Sequence, residues 1–418
     1  MTAAAWRGGA TQGIAYGALG MPLAFVALPL YVILPNHYAS RFGVPLATLG
    51  ALLLGARIFD AAVDPWIGRL VDRWFAHSAA RVLGAAALAA VVLAAGFQGL
   101  FFPPPLDAAA LLVWCGLLLA VTYLGYSVLS VLHQSWGARL GGDELQRSRI
   151  VSWREGLALA GVLVASVLPS LAGLAITSAV FACLLAAALL LLVRAPRPPS
   201  TAGGEAGTVA PLATPAFRRL LAIYLANGIA SAVPATLVLF FIRDRLQAPA
   251  WEPLFLASYF AAGALAMPLW LRVVARFGLA RSWLAGMALA IATFGWAASL
   301  GPGEVVAYTL VCIASGVALG ADLVLPGALL AGVIQRAGHA GRLEGAYFGW
   351  WNFATKLNLA LAAGIALPLL SLLGYAPGGR DETALRALTL AYCALPCVLK
   401  AAAAALLYTR WIRSPGTP

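Results

Sequence analysis

Residues 46–70 read LATLGALLLGARIFDAAVDPWIGRL. Arg57, Asp60 and Asp64 interrupt this otherwise apolar run at intervals of three and four residues. On an α-helix such intervals bring all three side chains to one face. The run is long enough to cross a hydrocarbon core, which takes about 20 residues. A charge near the middle of that core costs roughly 2.5–3.5 kcal/mol even on lenient insertion scales. A stripe of three ionisable groups there is expected to bind an ion or a proton.

The rest of the chain has the same character. It has 418 residues, 62% hydrophobic and 10% charged, with mean hydropathy +0.90. A soluble domain carries about 25% charged residues. Apolar runs predict helices at 12–34, 46–70, 79–101, 107–135, 152–173, 174–194, 217–242, 253–275, 281–300, 304–334, 346–374 and 384–409. The expected fold class is an all-α polytopic membrane protein with twelve spans. Spans five and six nearly touch, so a tight turn must join them. The first span is too long for a signal peptide and lacks a small-residue cleavage site, so no cleavable leader is expected.

The net charge of +12 could suggest a polyanionic partner, but its placement argues for orientation instead. With both termini cytoplasmic, most of the 27 basic residues fall in inner loops and ends, while the outer loops hold Arg41, Arg243, Arg245, Arg380 and Arg386. By the positive-inside rule this predicts a multi-pass protein of the cytoplasmic (inner) membrane and no nucleic-acid partner. All five cysteines lie inside spans, where small apolar packing roles are expected; Cys393 and Cys397 share a helix face without another soft ligand nearby. No metal-ligand spacing, nucleophile–base pairing or Walker loop is present, so neither an enzyme, a resident cofactor nor a nucleotide-driven pump is expected.

The one long polar break, APRPPSTAGGEAGTVAPLATP at 195–215, reads as a cytoplasmic linker. It separates an N-terminal six-helix bundle (1–194) from a C-terminal one (216–418). The halves repeat. Pro65, Arg69 and Arg73 recur as Pro268, Arg272 and Arg276, and Arg154 in span five corresponds to Lys356 in span eleven. Tyr16-x-Ala18-x-Gly20 is matched by Tyr224-x-Ala226-x-Gly228. Parallel six-helix repeats place a substrate path at their interface near the midplane.

Gly68-Arg69-Leu70-Val71-Asp72-Arg73 resembles the loop signature of the major facilitator superfamily. Arg57-x-x-Asp60-x-x-x-Asp64-Pro65-x-x-Gly68 is similar to the glycoside–pentoside–hexuronide cation symporters, the melibiose-permease-like family. The resemblance runs through Asp143-Glu144-x-x-Arg147-x-Arg149, Arg154, Asn227 to Pro234, Leu325-Pro326 and Gly341-Arg342-x-Glu344-Gly345 to Lys356, nearly the whole chain. It implies a major facilitator fold of twelve transmembrane helices in two pseudo-symmetric six-helix halves. It also implies a cation site at Asp60 and Asp64, with Lys356 opposite. The local charges point the same way, since Arg57 and Lys356 balance the two carboxylates and an arriving cation would upset that balance. The implied activity is cation-coupled symport of an organic solute by alternating access, with H+ or Na+ as coupling ion. Val63 stands where sugar-carrying members have an asparagine, and Ser127 lies only near the family's threonine position, so a proton is favoured over sodium.

Sugar-binding members carry an acid in span one, where this chain reads Gly20-Met21-Pro22-Leu23. Its absence points to a larger or partly apolar small molecule, anionic if Arg154 contacts it. The expected substrate-binding residues are Tyr123, Tyr126, His133, Trp153, Arg154, Asn227, Asp322, Trp351 and Asn352. Plainer roles are open to several of them. His133 could bond a loop carbonyl, Glu155 could neutralise Arg154, and Asp322 could bond backbone freed near Pro326. Only one of Trp350 and Trp351 can face a cavity. Lys400 is expected to snorkel to the inner surface. Gly68, Arg69, Asp72, Arg73, Arg272 and Arg276 read as a conformational latch. The protein is expected to act as a monomer in the lipid bilayer. Competing readings are a lysolipid or lipid transporter of the same fold, and a non-transporting assembly factor or receptor.

Overall fold

The computed structural model describes residues 6, 8–199, 207–379 and 381–413. Arg380 and residues 200–206 of the linker lie outside the described residues. Every regular element among the described residues is helical. In chain order these are α1 (Ala10–Phe42), α2 (Leu46–His77), α3 (Ala79–Phe101), α4 (Ala108–Arg139) and α5 (Glu144–Val193). Then come α6 (Pro215–Arg245), α7 (Glu252–Leu265), α8 (Met267–Phe277), α9 (Leu279–Ala297), α10 (Val305–Arg336) and α11 (Glu344–Leu372). The last is α12 (Glu382–Ile412). A short turn of helix at Ala210–Ala213 precedes α6.

Local chemistry starts and breaks these helices. Ser78, Asp107, Asp143 and Asp381 accept first-turn amides of Arg81, Ala110, Gln146 and Ala384 at 3.1, 2.8, 2.8 and 3.1 Å, which opens α3, α4, α5 and α12. The 50 residues of α5 contain the expected spans five and six, and their tight turn is a single glycine, Gly173, at φ 77° and ψ 170°. That backbone angle is open to glycine and strained for other residues. Helices α7 and α8 meet at a 42° bend. Eight helices among the described residues are long and apolar enough to cross a membrane, nine if the bent pair is one span. Large apolar side chains such as Leu171, Val306 and Leu372 point outward, as a lipid solvent requires.

The chain gathers into two compact units, Met1–Pro211 with Ile334–Phe353, and Leu212–Val333 with Ala354–Pro418. The end of α10, the loop after it and the first turns of α11 thus pack with the first unit. In that unit α1 lies against α5 at van der Waals range because small residues face it. A methyl group added at Gly17 or Gly20 would stand 2.6 or 2.4 Å from the carbonyl oxygens of Trp153 and Arg154. Helix α4 packs against both α2 and α3. In the second unit α12 packs against α6 and α9. Its core is aromatic: the rings of Phe241 and Tyr392 stack at 4.2 Å, and the Tyr308 and Tyr392 hydroxyls are 2.7 Å apart. Cys393 is buried in that core, and the Cys397 thiol meets the Ile291 carbonyl at 3.5 Å.

Candidate functional site

Helix α2 carries Asp60 and Asp64 one turn apart, and both are withdrawn from solvent, at 2% and 0% exposure. Burial of two adjacent carboxylates in an apolar helix is tolerable when a cation or proton is shared with them. Ser127 of α4 donates its hydroxyl to Asp60 Oδ1 at 2.8 Å. The packing of α4 on α2 brings these two residues together. Arg57 of the same helix sets its guanidinium 4.4 Å from the Tyr31 ring. Tyr123 is buried with its ring 6.2 Å from Tyr31, and Tyr126 is half-buried on the same helix. Tyr31 escaped the sequence reading, because an aromatic residue in an apolar run carries no signal of its own. Lys356 is half-buried on the part of α11 that belongs to the second unit. Beside it Thr355 and Tyr224 share a hydroxyl hydrogen bond at 2.7 Å.

The other expected contacts of the first unit divide into packed and polar positions. Trp153 is a packing residue: its indole lies over Gly13, where a methyl group would be 2.2 Å from the ring. His133 bonds a carbonyl as anticipated, but that carbonyl is Tyr16 of α1 at 2.8 Å rather than a loop's. The Tyr16 hydroxyl returns the contact to the His133 carbonyl at 3.0 Å. Arg154 is held by its neighbour, with Nη2 2.7 Å from Glu155 Oε1. Asn352 donates to Ser130 Oγ at 3.2 Å, and Trp351 is buried. Trp350 points elsewhere, donating to the linker carbonyl of Thr208 at 2.9 Å.

At the far end of α2 lies a second constellation. Asp72 accepts the backbone amides of Gly345 and Ala346, both at 2.8 Å, which caps the first turn of α11. Arg139 of α4 donates to Asp72 at 2.8 Å, lies 3.1 Å from Glu344 and donates to the Gly341 carbonyl at 2.6 Å. Gly68 and Gly345 face each other there, and a methyl group on either would stand 2.2 Å from the other's carbonyl oxygen. Arg147 donates to Gln335 and to the Gly142 carbonyl. In the preceding loop His339 bonds the Tyr347 hydroxyl at 2.8 Å, and burial, with Arg342 nearby, lowers its pKa below the usual histidine value. Of the expected latch residues, Gly68 and Asp72 sit in this cluster. Arg69 reaches only the Thr208 hydroxyl at 3.4 Å. Arg73, Arg272 and Arg276 are exposed, Arg276 over the Phe277 ring. Arg139, the central cation of the cluster, was missed because it reads as an ordinary positive-inside arginine.

In the second unit two expected residues come together with one read differently. Asp322 of α10 accepts from Asn227 at 3.1 Å, Ser231 at 3.1 Å, Trp283 at 2.9 Å and Lys400 at 2.6 Å. Lys400 also donates to Asn227 at 2.9 Å and Ser231 at 3.0 Å. Lys400 therefore does not snorkel; it is 4% exposed and turns inward to a carboxylate that repays its desolvation. Nor does Asp322 serve backbone freed at Pro326, since these four partners are side chains. Opposite charges within the apolar runs of one half were the signal that could have paired them.

The chain matches the family described as MFS/sugar transport protein over residues 12–413. The inner membrane symporter YicJ of Escherichia coli (strain K12) is 28% identical over 160 residues, 37% of this chain and 33% of YicJ. The putative glycoside/cation symporter YagG of the same organism is 28% identical over 157 residues, again 37% of this chain and 33% of YagG. The chain thus matches about a third of the length of these curated relatives. Among solved structures, a bacterial homologue of the iron transporter ferroportin in an outward-facing state superimposes with TM-score 0.69 at 17% identity, over 94% of this chain and 99% of that one. Likeness at that identity speaks for the major facilitator fold alone. With the Arg-Asp-Asp-Pro helix, the glycine crossing and the family match along almost its entire length, the chain belongs to the MFS/sugar transport protein family of major facilitator membrane proteins.

Proposed function

We propose that the protein is a secondary active transporter that couples an inward cation gradient to uptake of an organic solute by alternating access. The observation that carries this reading is the buried pair Asp60 and Asp64 on consecutive turns of α2, with Ser127 donating to Asp60. A cation bound there changes the charge of an apolar helix, so the two conformations of the carrier differ in their affinity for it. Lys356 is the internal positive charge that competes with the cation for the carboxylates. The names of YicJ and YagG, an inner membrane symporter and a putative glycoside/cation symporter, support the reading.

The coupling ion is a proton in this reading. Val63 offers no oxygen beside the carboxylates, whereas sodium needs several. A sodium site is the second reading, favoured by the Ser127 hydroxyl at Asp60. Position 20 leaves no room for a side chain beside the Arg154 carbonyl, so span one supplies no sugar-binding acid there. The solute is therefore expected to be recognised through aromatic and amphipathic contacts around Tyr31, Tyr123 and Tyr126. A thermal-shift screen of sugars, glycosides, organic acids, peptides and lysolipids, at two pH values with and without sodium, identifies the ligand. Uphill uptake of that ligand into proteoliposomes then tests the site. Asp60→Asn and Asp64→Asn are expected to abolish accumulation, and undiminished gradient-driven accumulation in both rejects the cation site. Stimulation by sodium at fixed pH and membrane potential replaces the proton with sodium.

A further inference from the structure

The second unit contains a cavity of about 170 Å³ whose lining residues all belong to that unit. Phe255, Tyr259, Phe260, Phe294, Tyr308 and Tyr392 supply aromatic walls, and Asp322 and Lys400 are the charged residues that line it. The volume is close to that of a cavity of about 150 Å³ known to hold benzene when lined by apolar side chains. Aromatic rings in such walls favour another ring, by edge-to-face and offset contacts, over a flexible chain.

The charged end of the cavity decides the ligand's charge. A carboxylate has about four acceptor sites and an ammonium has three protons. Asp322 already accepts from Asn227, Ser231, Trp283 and Lys400. Lys400 already donates to Asp322, Asn227 and Ser231. The pair is therefore internally neutral and has no bonding capacity left over. An anionic or cationic ligand would be stripped of water there without finding a counter-charge, which is strongly unfavourable.

We propose that this cavity is a binding site for an uncharged monocyclic aromatic group, of phenyl or benzyl size, borne by the transported solute. That the group belongs to the transported solute rests on the transport reading; occupancy of the cavity is measured at equilibrium and without a gradient.

The test uses the purified full-length protein in detergent and four probes: benzyl alcohol, benzoate, benzylammonium and 1-octanol. Binding is followed by saturation-transfer NMR with competition. Benzyl alcohol is expected to bind at least about tenfold more tightly than either ion, a difference of about 1.4 kcal/mol. Ala235→Trp, which places a ring at an exposed lining position, is expected to weaken benzyl alcohol by about tenfold or more. Asp322→Asn leaves Lys400 without its carboxylate, and benzoate is then expected to become the preferred ligand. Equal binding of benzoate and benzyl alcohol to the parent protein overturns the proposal, as does an unchanged benzyl alcohol affinity in Ala235→Trp. Tighter binding of 1-octanol than benzyl alcohol overturns it in favour of an acyl-chain site. The comparison of probes on the parent protein and the Ala235→Trp arm stand even if Asp322→Asn does not fold. Binding as expected with no transport of any benzyl-bearing solute rejects the link to transport and leaves the site.

Discussion

Replacing Gly68 by alanine puts a methyl carbon 2.2 Å from the Gly345 carbonyl oxygen, where ordinary contact begins at 3.4 Å. That oxygen is backbone and cannot rotate aside, so α2 and the first turn of α11 must part by about 1.2 Å. The two amides held by Asp72 at 2.8 Å would then lie about 4 Å from it, beyond hydrogen-bond range. Each is a bond to a charged acceptor, contributing about 1.5–3 kcal/mol, so their joint loss is about 3–6 kcal/mol. At about 1.4 kcal/mol per decade this is a 10²- to 10⁴-fold change in the opening equilibrium. The figure is an upper bound, because α11 can tilt as well as translate. The assay is residue-resolved hydrogen–deuterium exchange in nanodiscs. Gly345 and Ala346 lie in the first helical turn and have no intrahelical acceptor, so their protection reports the Asp72 contact itself. Gly68→Ala is expected to accelerate both amides by up to about two to four orders of magnitude while amides in the middle of α4 stay protected. Exchange within about threefold of the parent would refute the reasoning, because the crossing would then have relaxed without releasing the cap.

Three further expectations follow from other parts of the molecule. Lys400→Met strands Asp322 in an apolar site and is expected to destabilise the protein by about 3–5 kcal/mol, whereas the double variant Asp322→Leu/Lys400→Met recovers most of that loss. Unfolding titrations test this, and additive single and double effects would show that the pair is not coupled. The His339 pKa is lowered in the folded state, so the unfolded chain binds more protons once the pH drops below the usual histidine value. The stability contributed by neutral His339 is therefore present above about pH 6.5 and is lost as the pH falls from there. The protection of amides around Gly345, taken relative to the intrinsic exchange rate at each pH, is expected to fall between pH 7 and pH 5, less so in His339→Gln, and equal protection profiles would remove His339 as the cause. Ser127→Ala removes the donor to Asp60 and is expected to change the apparent cation affinity of transport by about tenfold or more, as loss of a supporting contact at an ion site does. An unchanged affinity would place Ser127 outside the cation site.

Much of the local architecture was legible in the residues. Apolar runs near 20 residues placed the helices, since only helices satisfy backbone polar groups within lipid. Charges inside such a run mark function because they are expensive there, which is how Asp60 and Asp64 stood out. The tight turn between spans five and six was equally visible, because two apolar runs left almost no chain between them. Single Gly173 makes it.

Partnership was not legible, because it depends on which helices pack and at what height. Ser127 and Tyr31 are unremarkable as letters, and packing alone brings one to Asp60 and the other to Arg57. Lys400 could as well have reached along its own helix for water, until α10 placed Asp322 2.6 Å away. Arg139 belongs by composition to the basic inner loops, yet it is buried between Asp72 and Glu344. Hydropathy and the helical period act over neighbouring residues, so the order of residues alone specified a helical membrane protein with ionisable groups on one face of α2. Which buried charges answer one another emerged with the packing of the helices, since a long-range ion pair or cap joins residues distant in the chain.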